Sequence, residues 1–441
     1  MKTVFASSVL AFHVRPDGVQ PTTEAISPAQ QFQKTWTVEG DARVHQLTVS
    51  SPGLTHVSFN PDATTAAVKV SSGDVETVEA VEVIAASPGA LEIRPTAKFE
   101  RKHLLVEVSL PVAHTLTTLD CIGSGTVVVD DKVLVGDAPD ADVRVRLTGS
   151  GDCFVTSHAD VRVNSLSLDL TGSGDLQFIA PSVTARRAFS SNVTASGDVR
   201  AFIGKVAAPD VSISTTGSGD LNLASLVIDA SHRFQASVRG SGEVHTVGDV
   251  LRAGRMAVSV TGSGDISIAA KDELRAEQVD GSVAGSGDVK LACLGARCDS
   301  ATLQVSGSGD LDLRDLVARS ASAQVVGSGD VLFRAVQQAT VNAKGSGGVY
   351  LVGAPPASVT GKARHVQHKP SLVEKLLQRR SEPRKAPTPV DAFLHTTRFD
   401  GTINVRSFSD LKHALGVLWN TGKGDHIEIN VGSDAIEKKA P

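Results

Sequence analysis

Apolar and polar residues alternate along most of the chain, in short segments that recur from about residue 44 to residue 352. The segments Val145-Arg-Leu147, Leu168-Asp-Leu170 and Leu303-Gln-Val305 show the pattern, as do Leu176-Gln-Phe178 and Leu221-Asn-Leu223. A period of two is typical of a strand with one buried face. The sequence therefore predicts many short strands that share one core.

A Gly-Ser-Gly-Asp tetrad separates successive alternating segments. Intact copies begin at Gly149, Gly172, Gly217, Gly262, Gly285, Gly307 and Gly327, and altered copies begin at Gly123, Ala195, Gly240 and Gly345. Successive copies start 18 to 26 residues apart. A repeat of this length is typical of a solenoid, in which each coil stacks on the previous one. The Asn-centred pattern of leucine-rich repeats is missing.

These patterns predict an all-β fold, a single-stranded parallel β-helix with coils of about 20–23 residues and three sides. Each coil is expected to contain a strand, a tight turn at the tetrad, a second strand and a looser third segment such as Leu226-Val-Ile228. Before the first tetrad, strands are expected within residues 33–120, with Ser71-Ser-Gly-Asp74 as an early, degenerate corner.

The tetrad residues are predicted to have a structural role in the turns. Glycine reaches positive φ without steric cost, and a β-carbon inside one corner would meet the corner of the next coil. The Asp carboxylate is expected to accept backbone N–H groups in its own turn. The turn residues assigned in this way are Gly149, Gly151, Asp152, Gly172, Gly174, Asp175, Gly217, Gly219, Asp220, Gly262, Gly264, Asp265, Gly285, Gly287, Asp288, Gly307, Gly309, Asp310, Gly327, Gly329 and Asp330.

An alternative role for the stacked carboxylates is cation binding, since a cation would relieve their mutual repulsion. One acid per long coil supplies too few oxygens for calcium, which prefers six or more. We therefore expect no metal site and no cofactor. The four cysteines (Cys121, Cys153, Cys293 and Cys298) are too few for a disulfide framework and are expected to be buried as small apolar side chains.

Composition excludes several partner classes. The net charge is −5 and aromatic residues make up only 4% of the chain, which argues against nucleic-acid binding. No apolar run is long enough for a membrane-spanning helix. Residues 1–14 resemble a weak signal peptide and also fit a first strand, so both secretion and a cytoplasmic location stay open.

The chain divides into five predicted parts. Residues 1–45 form an N-terminal strand or cap segment, and residues 46–352 form the β-helix. Residues 353–390 form a basic, proline-containing linker, whose Lys/Arg cluster could alternatively be a nuclear-localisation signal or bind an acidic partner or an anionic membrane. Residues 391–436 form a small β-α-β appendage with strands at Thr402–Val405 and His426–Val431, and residues 437–441 form a tail.

The stretch from His45 to about Val352 resembles the family "putative auto-transporter adhesin, head GIN domain". The elements that match are Val57-Ser-Phe59, Leu91-Glu-Ile93, the Val106–Pro111 strand and the tetrads from Gly123 onward. The resemblance implies a parallel β-helix and an adhesive role at the bacterial surface or outside the cell. It supplies no catalytic residues.

No zinc-binding or nucleophile motif is present in the sequence. The leading hypothesis is a non-enzymatic scaffold that binds protein or glycan along one solenoid face. The alternative is a carbohydrate-active β-helix enzyme, either a polysaccharide lyase or a hydrolase. Such an enzyme would need charged residues that depart from the repeat, and the candidates are Arg186-Arg187, His232-Arg233 and Lys271-Asp-Glu-Leu-Arg275.

Overall fold

The computed structural model describes residues 32–38, 43–97, 104–293, 295–367, 401–405 and 427–431. One sheet of 25 strands contains every strand from Phe32 to Val366, and it winds into a solenoid of about 11 turns. The predicted all-β parallel solenoid is therefore confirmed. No helix in these described ranges is both long enough and apolar enough to cross a membrane.

The N-terminal part mixes parallel and antiparallel pairing. Its elements are β1 (Phe32–Thr37), β2 (Gln46–Val49), β3 (Leu54–Phe59), β4 (Ala67–Ser72), α1 (Val75–Glu79), β5 (Val81–Ser87), β6 (Ala90–Pro95), β7 (Leu104–Leu110), β8 (Thr118–Gly123) and β9 (Thr126–Val129). Strand β4 runs antiparallel to both β1 and β7, and β5 runs antiparallel to β6. Strands β2 and β3 pair in parallel with β8 and β9 of the first tetrad coil, so this part continues directly into the solenoid.

The expected corner at Ser71–Asp74 is wrong. Ser71 and Ser72 end strand β4, and Asp74 is the N-cap residue of the short helix α1. The Asp74 carboxylate accepts a hydrogen bond from the Thr77 hydroxyl at 2.8 Å. Asp74 precedes a helix, where its side chain makes no capping hydrogen bond, whereas the same residue type in a stacked turn needs an identical turn on the neighbouring coil.

From β10 onward the strands form the repeating coils. Their bounds are β10 (Asp137–Gly149), β11 (Cys153–Thr156), β12 (Val161–Gly172), β13 (Leu176–Ala195), β14 (Val199–Gly217), β15 (Leu221–Ala224), β16 (Val227–Gly240), β17 (Val244–Gly262), β18 (Ile266–Gly285), β19 (Val289–Ala292), β20 (Ala296–Gly307), β21 (Leu311–Gly327), β22 (Val331–Gly345), β23 (Val349–Val352), β24 (Ser358–Thr360) and β25 (Arg364–Val366). Every pairing among these strands is parallel.

The third segment of each coil is not loose, contrary to the prediction. Val227 and Ile228 lie in β16, and Leu316 and Val317 lie in β21. The chain turns there through register shifts within continuous strands, for example between Ala230 and Arg233. A bulge bends a strand and leaves most of its hydrogen bonds to the neighbouring coils intact.

The parallel ladder also continues past Val352, the predicted end of the β-helix. Strand β24 pairs with β22, and β25 pairs with β23. The first part of the segment predicted as a linker therefore adds hydrogen-bonded strands to the sheet. The capping box Ser371-Leu-Val-Glu374 in that segment also predicts a short basic helix, which lies outside the described residues.

Two further strands, β26 (Gly401–Val405) and β27 (Ile427–Val431), pair in parallel with each other. A parallel pair is what the predicted β-α-β appendage requires. The helix predicted between the two strands lies outside the described residues, as do the predicted signal peptide and the tail.

The core is a continuous column of aliphatic side chains inside the coils. The residue that follows each acid position is fully buried and stacks on its counterparts in the adjacent coils: Leu176, Val199, Leu221, Val244, Ile266, Val289, Leu311, Val331 and Val349. Phe178, Phe189, Phe234 and Phe333 are the largest side chains inside. All four cysteines are buried free thiols, as predicted.

Candidate functional site

The tetrad corners form one vertical stack. Gly149 pairs with Gly172, Gly172 with Ala195, and the series continues in register to Gly345. The first glycine of each copy from Gly149 to Gly345 has a φ of 120° to 137°. L-residues rarely adopt such a conformation, so these positions favour glycine.

The second glycine of each tetrad is required by contact between coils. A β-carbon at Gly151 would lie 1.9 Å from the carbonyl oxygen of Gly125, and at Gly174 it would lie 1.7 Å from that of Gly151. From Gly123 to Gly307, the carbonyl of the first residue in each tetrad accepts two N–H groups from the next corner. Gly149 O, for example, accepts from the backbone N–H groups of Ser173 at 2.9 Å and Gly174 at 3.2 Å. The corners therefore stack by direct backbone contact.

The acids of the tetrads connect successive coils. The Asp152 carboxylate accepts the backbone N–H of Asp175 at 3.0 Å, while the Asp175 carbonyl accepts the N–H of Cys153 at 2.8 Å. The same carboxylate-to-backbone bond joins Asp175 to Asp198, Asp198 to Asp220, Asp220 to Glu243, Asp265 to Asp288, Asp288 to Asp310, Asp310 to Asp330, and Asp330 to Gly348. We call this series the acid ladder. The predicted acceptor role is thus found, but the donor belongs to the following coil and not to the same turn.

Burial and neighbouring acids act on the ladder carboxylates. The pKa values of Asp220 and Asp310 are raised, mainly by burial and less by adjacent acids, while a backbone N–H bond opposes the shift. Side chains of the repeat supply positive charge nearby. Arg200 contacts the carboxylates of Asp175 at 3.3 Å and Asp198 at 2.8 Å, and Lys290 contacts Asp288 at 2.9 Å. These cations reduce the repulsion between neighbouring carboxylates of the acid ladder, which is the repulsion that a bound metal ion would relieve.

Within the described residues, no group of three or more His, Cys, Asp or Glu side chains is arranged to hold a metal ion. Side chains whose charge varies from coil to coil also occur away from the corners. One such place is a groove beside the register shift between Ala230 and Arg233.

This groove has a volume of about 1070 Å³ and runs across several coils. Arg252, Arg275 and Arg297 lie on one side of it as a column in which each residue pairs in register with the next. We call these three residues the arginine column and the cavity the arginine groove. Asp229 continues the column at one end, and Val317 continues it at the other.

Acidic side chains and a fourth arginine complete the lining. They are Asp229, Glu273, Glu277, Asp299 and Arg319. Arg252 donates to Glu273 at 2.7 Å, and Arg319 lies 3.5 Å from Asp299. The hydrogen bond from Arg252 lowers the pKa of Glu273, and the same contact raises the pKa of Arg252. These two arginines are therefore held by acids of the groove.

Arg275 and Arg297 are different. Both are exposed, and within the described part of the chain neither guanidinium group makes a hydrogen bond or an ion pair. Arg275 acts on Glu273 only through its charge, which contributes less to the lowered pKa than Arg252 does. The groove is also lined by small buried side chains, among them Ala276 and Cys298. Burial raises the pKa of the Cys298 thiol to about 12, so this thiol is neutral and unreactive.

A smaller cavity of about 430 Å³ shares lining residues with the arginine groove. It includes His232, which contacts Asp210 at 2.8 Å, and Arg255, which donates to Asp280 at 2.6 Å. The polar surface therefore continues toward the next side of the coils.

The structure brings together two of the three irregular charged segments noted in the sequence. His232 lines the smaller cavity, and Glu273 and Arg275 line the arginine groove. Arg186 lies elsewhere and pairs with Asp140 at 2.5 Å. Sequence analysis missed Arg252 and Arg297, since neither has a charged residue next to it in the sequence. A signal was present: Arg252, Arg275 and Arg297 each lie ten residues before the first glycine of a tetrad.

Comparison with known proteins gives a sequence match over the solenoid. The model of the family described as "putative auto-transporter adhesin, head GIN domain" matches residues 47–250, 178–293 and 249–355. None of the curated proteins matches the chain.

Solved structures of bacterial proteins are also similar. A putative adhesin from Parabacteroides distasonis is 14% identical with a TM-score of 0.26, covering 76% of this chain and 96% of that chain. A putative adhesin from Parabacteroides merdae is 13% identical with a TM-score of 0.24, covering 77% and 96%. A putative lipid binding protein from Parabacteroides distasonis is 14% identical with a TM-score of 0.20, covering 77% and 98%. Because these TM-scores are low, no property of the three proteins is transferred to this chain.

Proposed function

Because the chain belongs to the family of the putative auto-transporter adhesin head GIN domain, we propose that it is a non-enzymatic, adhesin-like protein that binds protein or glycan along one face of its solenoid. The observation that carries the proposal is the arginine groove. It is an elongated cavity that crosses several rigid coils, and its lining departs from the repeat in charge. Binding sites are typically concave and mostly formed in advance of the ligand.

The rigidity of the coils supports a binding role. Each coil is hydrogen-bonded to its neighbours, so the groove side chains project from backbone that needs no reordering when a ligand arrives. A site on strands keeps its geometry better than one on loops, and preorganisation reduces the entropic cost of association.

The chemistry of the groove supports binding over hydrolysis. A glycosidase needs one carboxyl group with a raised pKa as the general acid, beside a second, ionised carboxylate. Glu273 has the opposite shift, because its hydrogen bond from Arg252 stabilises the charged form. Asp299 faces Arg319 in an ion pair.

The test combines binding with turnover. Purified protein is applied to a glycan array and an array of extracellular matrix proteins, and any bound polysaccharide is incubated with the protein and assayed for new reducing ends. We expect saturable binding without release of reducing ends. Release that disappears in Glu277→Gln, with binding retained, would establish the rival enzyme function instead.

A further inference from the structure

From the charges in the arginine groove we infer its ligand class, an inference that rests on the proposed binding function. The groove binds an acidic glycan, a polysaccharide with carboxylate or sulfate groups, and Arg275 and Arg297 pair with anionic groups on neighbouring sugars.

The first argument is the spacing of the arginines. Residues in register on adjacent coils are separated by about 4.8 Å, the distance between neighbouring strands. Arg275 and Arg297 therefore present two guanidinium groups one coil apart along the solenoid axis. A sugar unit in an extended polysaccharide advances by a similar distance, so anionic groups on consecutive units can meet consecutive arginines. Guanidinium binds carboxylate and sulfate-like groups through two parallel hydrogen bonds.

The second argument is the state of the four groove arginines. Arg252 and Arg319 already contact Glu273 and Asp299. The side chains of Arg275 and Arg297 make no ion pair within the described residues, although Arg275 stands in register between the like-charged Arg252 and Arg297. An anion placed between them would relieve this repulsion, because opposite charge lowers the energy of stacked cations.

The third argument separates a glycan from other polyanions. Asp229, Glu273, Glu277 and Asp299 line the same groove and balance its four arginines. A nucleic acid or a polyacidic peptide carries closely spaced negative charge and would be repelled by these carboxylates. A sugar unit carries several hydroxyl groups for each anionic group, and carboxylates such as Glu277 accept hydrogen bonds from hydroxyls. The mixed lining therefore matches a polymer that is rich in hydroxyls and only moderately charged.

The experiment measures binding to matched pairs of polymers by biolayer interferometry. Polygalacturonate is compared with the same polymer after its carboxyl groups are reduced to alcohols, and dextran sulfate of low substitution, in which most hydroxyl groups are free, is compared with dextran. The first pair tests carboxylate and the second tests sulfate. Polyglutamate serves as the acidic peptide. We expect at least one of the two acidic polysaccharides to bind at least about tenfold more tightly than its neutral partner and than polyglutamate, since bonds to charged groups contribute enough for that ratio.

The double variant Arg275→Gln/Arg297→Gln is expected to lose about tenfold or more of this affinity. The matched control is Arg239→Gln, which removes an exposed arginine that stands in register with Thr216 and Thr261 and does not line the groove. This control should bind like the wild type. Circular dichroism checks that all variants remain folded, as exposed positions allow.

Three results overturn the inference: neither acidic polysaccharide binds, the double variant binds as the wild type does, or polyglutamate binds equally well. If neutral glycans or matrix proteins still bind in those cases, the proposed adhesive function stands and only the ligand class is wrong. If nothing binds on either array, the proposed function itself fails.

Discussion

The Asp265 carboxylate accepts the backbone N–H of Asp288, one coil later, at 2.7 Å. This bond belongs to the acid ladder and leaves the polar N–H of the next corner satisfied. Removing the acceptor in Asp265→Ala is expected to destabilise the protein by about 1–3 kcal/mol, the usual cost of an unpaired, partly buried donor. Urea unfolding, monitored by circular dichroism, measures the loss.

Asp265→Asn is the matched control, because its amide oxygen can still accept the N–H of Asp288. It should retain most of the stability. Equal unfolding midpoints for the alanine and asparagine variants would mean that the ladder bond contributes little.

The raised pKa of Asp310 predicts that its contribution to folding stability changes with pH in the direction opposite to that of most carboxylates. Burial favours the protonated form in the folded state, so the folded pKa lies above the unfolded value. The stabilising contribution is complete below the unfolded pKa and is lost as the pH rises through the folded pKa. Asp310→Asn removes this titration and keeps an acceptor for Asp330.

Unfolding free energies of the wild type and Asp310→Asn are therefore compared from about pH 3 to about pH 7, a range that brackets the ordinary Asp pKa of about 3.9. The wild type should lose stability relative to the variant as the pH rises. A difference that does not change with pH would contradict the prediction.

Ala195 occupies a glycine position of the corner stack with a φ of 99°. Such a backbone conformation costs an L-residue about 1–2 kcal/mol relative to the right-handed region. Ala195→Gly is expected to raise the stability by about 0.5–1 kcal/mol, after the greater freedom of glycine in the unfolded chain is subtracted. The shift of the urea midpoint measures the gain.

The reciprocal change tests the same geometry in the neighbouring coil. Gly172 has a φ of 132°, and a β-carbon there would lie 2.0 Å from the carbonyl oxygen of Gly149. Gly172→Ala should destabilise the protein by several times the Ala195→Gly gain or prevent folding. If Gly172→Ala were neutral, the close stacking of the corners would be wrong.

Thr215 is buried inside the coils, and its hydroxyl has no hydrogen-bond partner in the described part of the chain. It stands in register between Val193 and Val238. Thr215→Val keeps the shape and replaces a desolvated hydroxyl with a methyl group, so a gain of about 1 kcal/mol is expected. Thr215→Ser, which keeps the hydroxyl and loses the methyl group, should be less stable than the wild type. A destabilised Thr215→Val would show that the hydroxyl has a partner.

The repeat made the fold predictable from sequence. A tetrad that returns once per coil places identical corners on one another, and the alternating residues beside it define the buried face. The N-terminal part was less predictable, because Ser71–Asp74 has the residue pattern of a degenerate corner tetrad. Only the residues around it determine that it leads into α1.

The candidate site was only partly predictable. Glu273 and Arg275 were visible as a local departure from the repeat, but Arg252 and Arg297 join them through register between coils. For the same reason, the sequence did not predict which coil supplies the N–H donor to each carboxylate of the acid ladder. A carboxylate can reach a donor in its own turn or in the next coil, and the choice depends on the stacking distance, which sequence spacing does not give.

From Asp152 to Asp220 and from Asp265 to Asp330, each acid of the ladder supplies an acceptor to the coil that follows, so the two ends of such a coil differ chemically while these coils all present the same pair of ends. Excising the stretch between two first glycines, for instance Gly285 and Gly307, would place the Asp265 carboxylate next to the backbone N–H of Asp310, a donor of the same kind as the one it contacts now. Gene duplication or deletion in whole coils can therefore lengthen or shorten this protein without inventing a new junction.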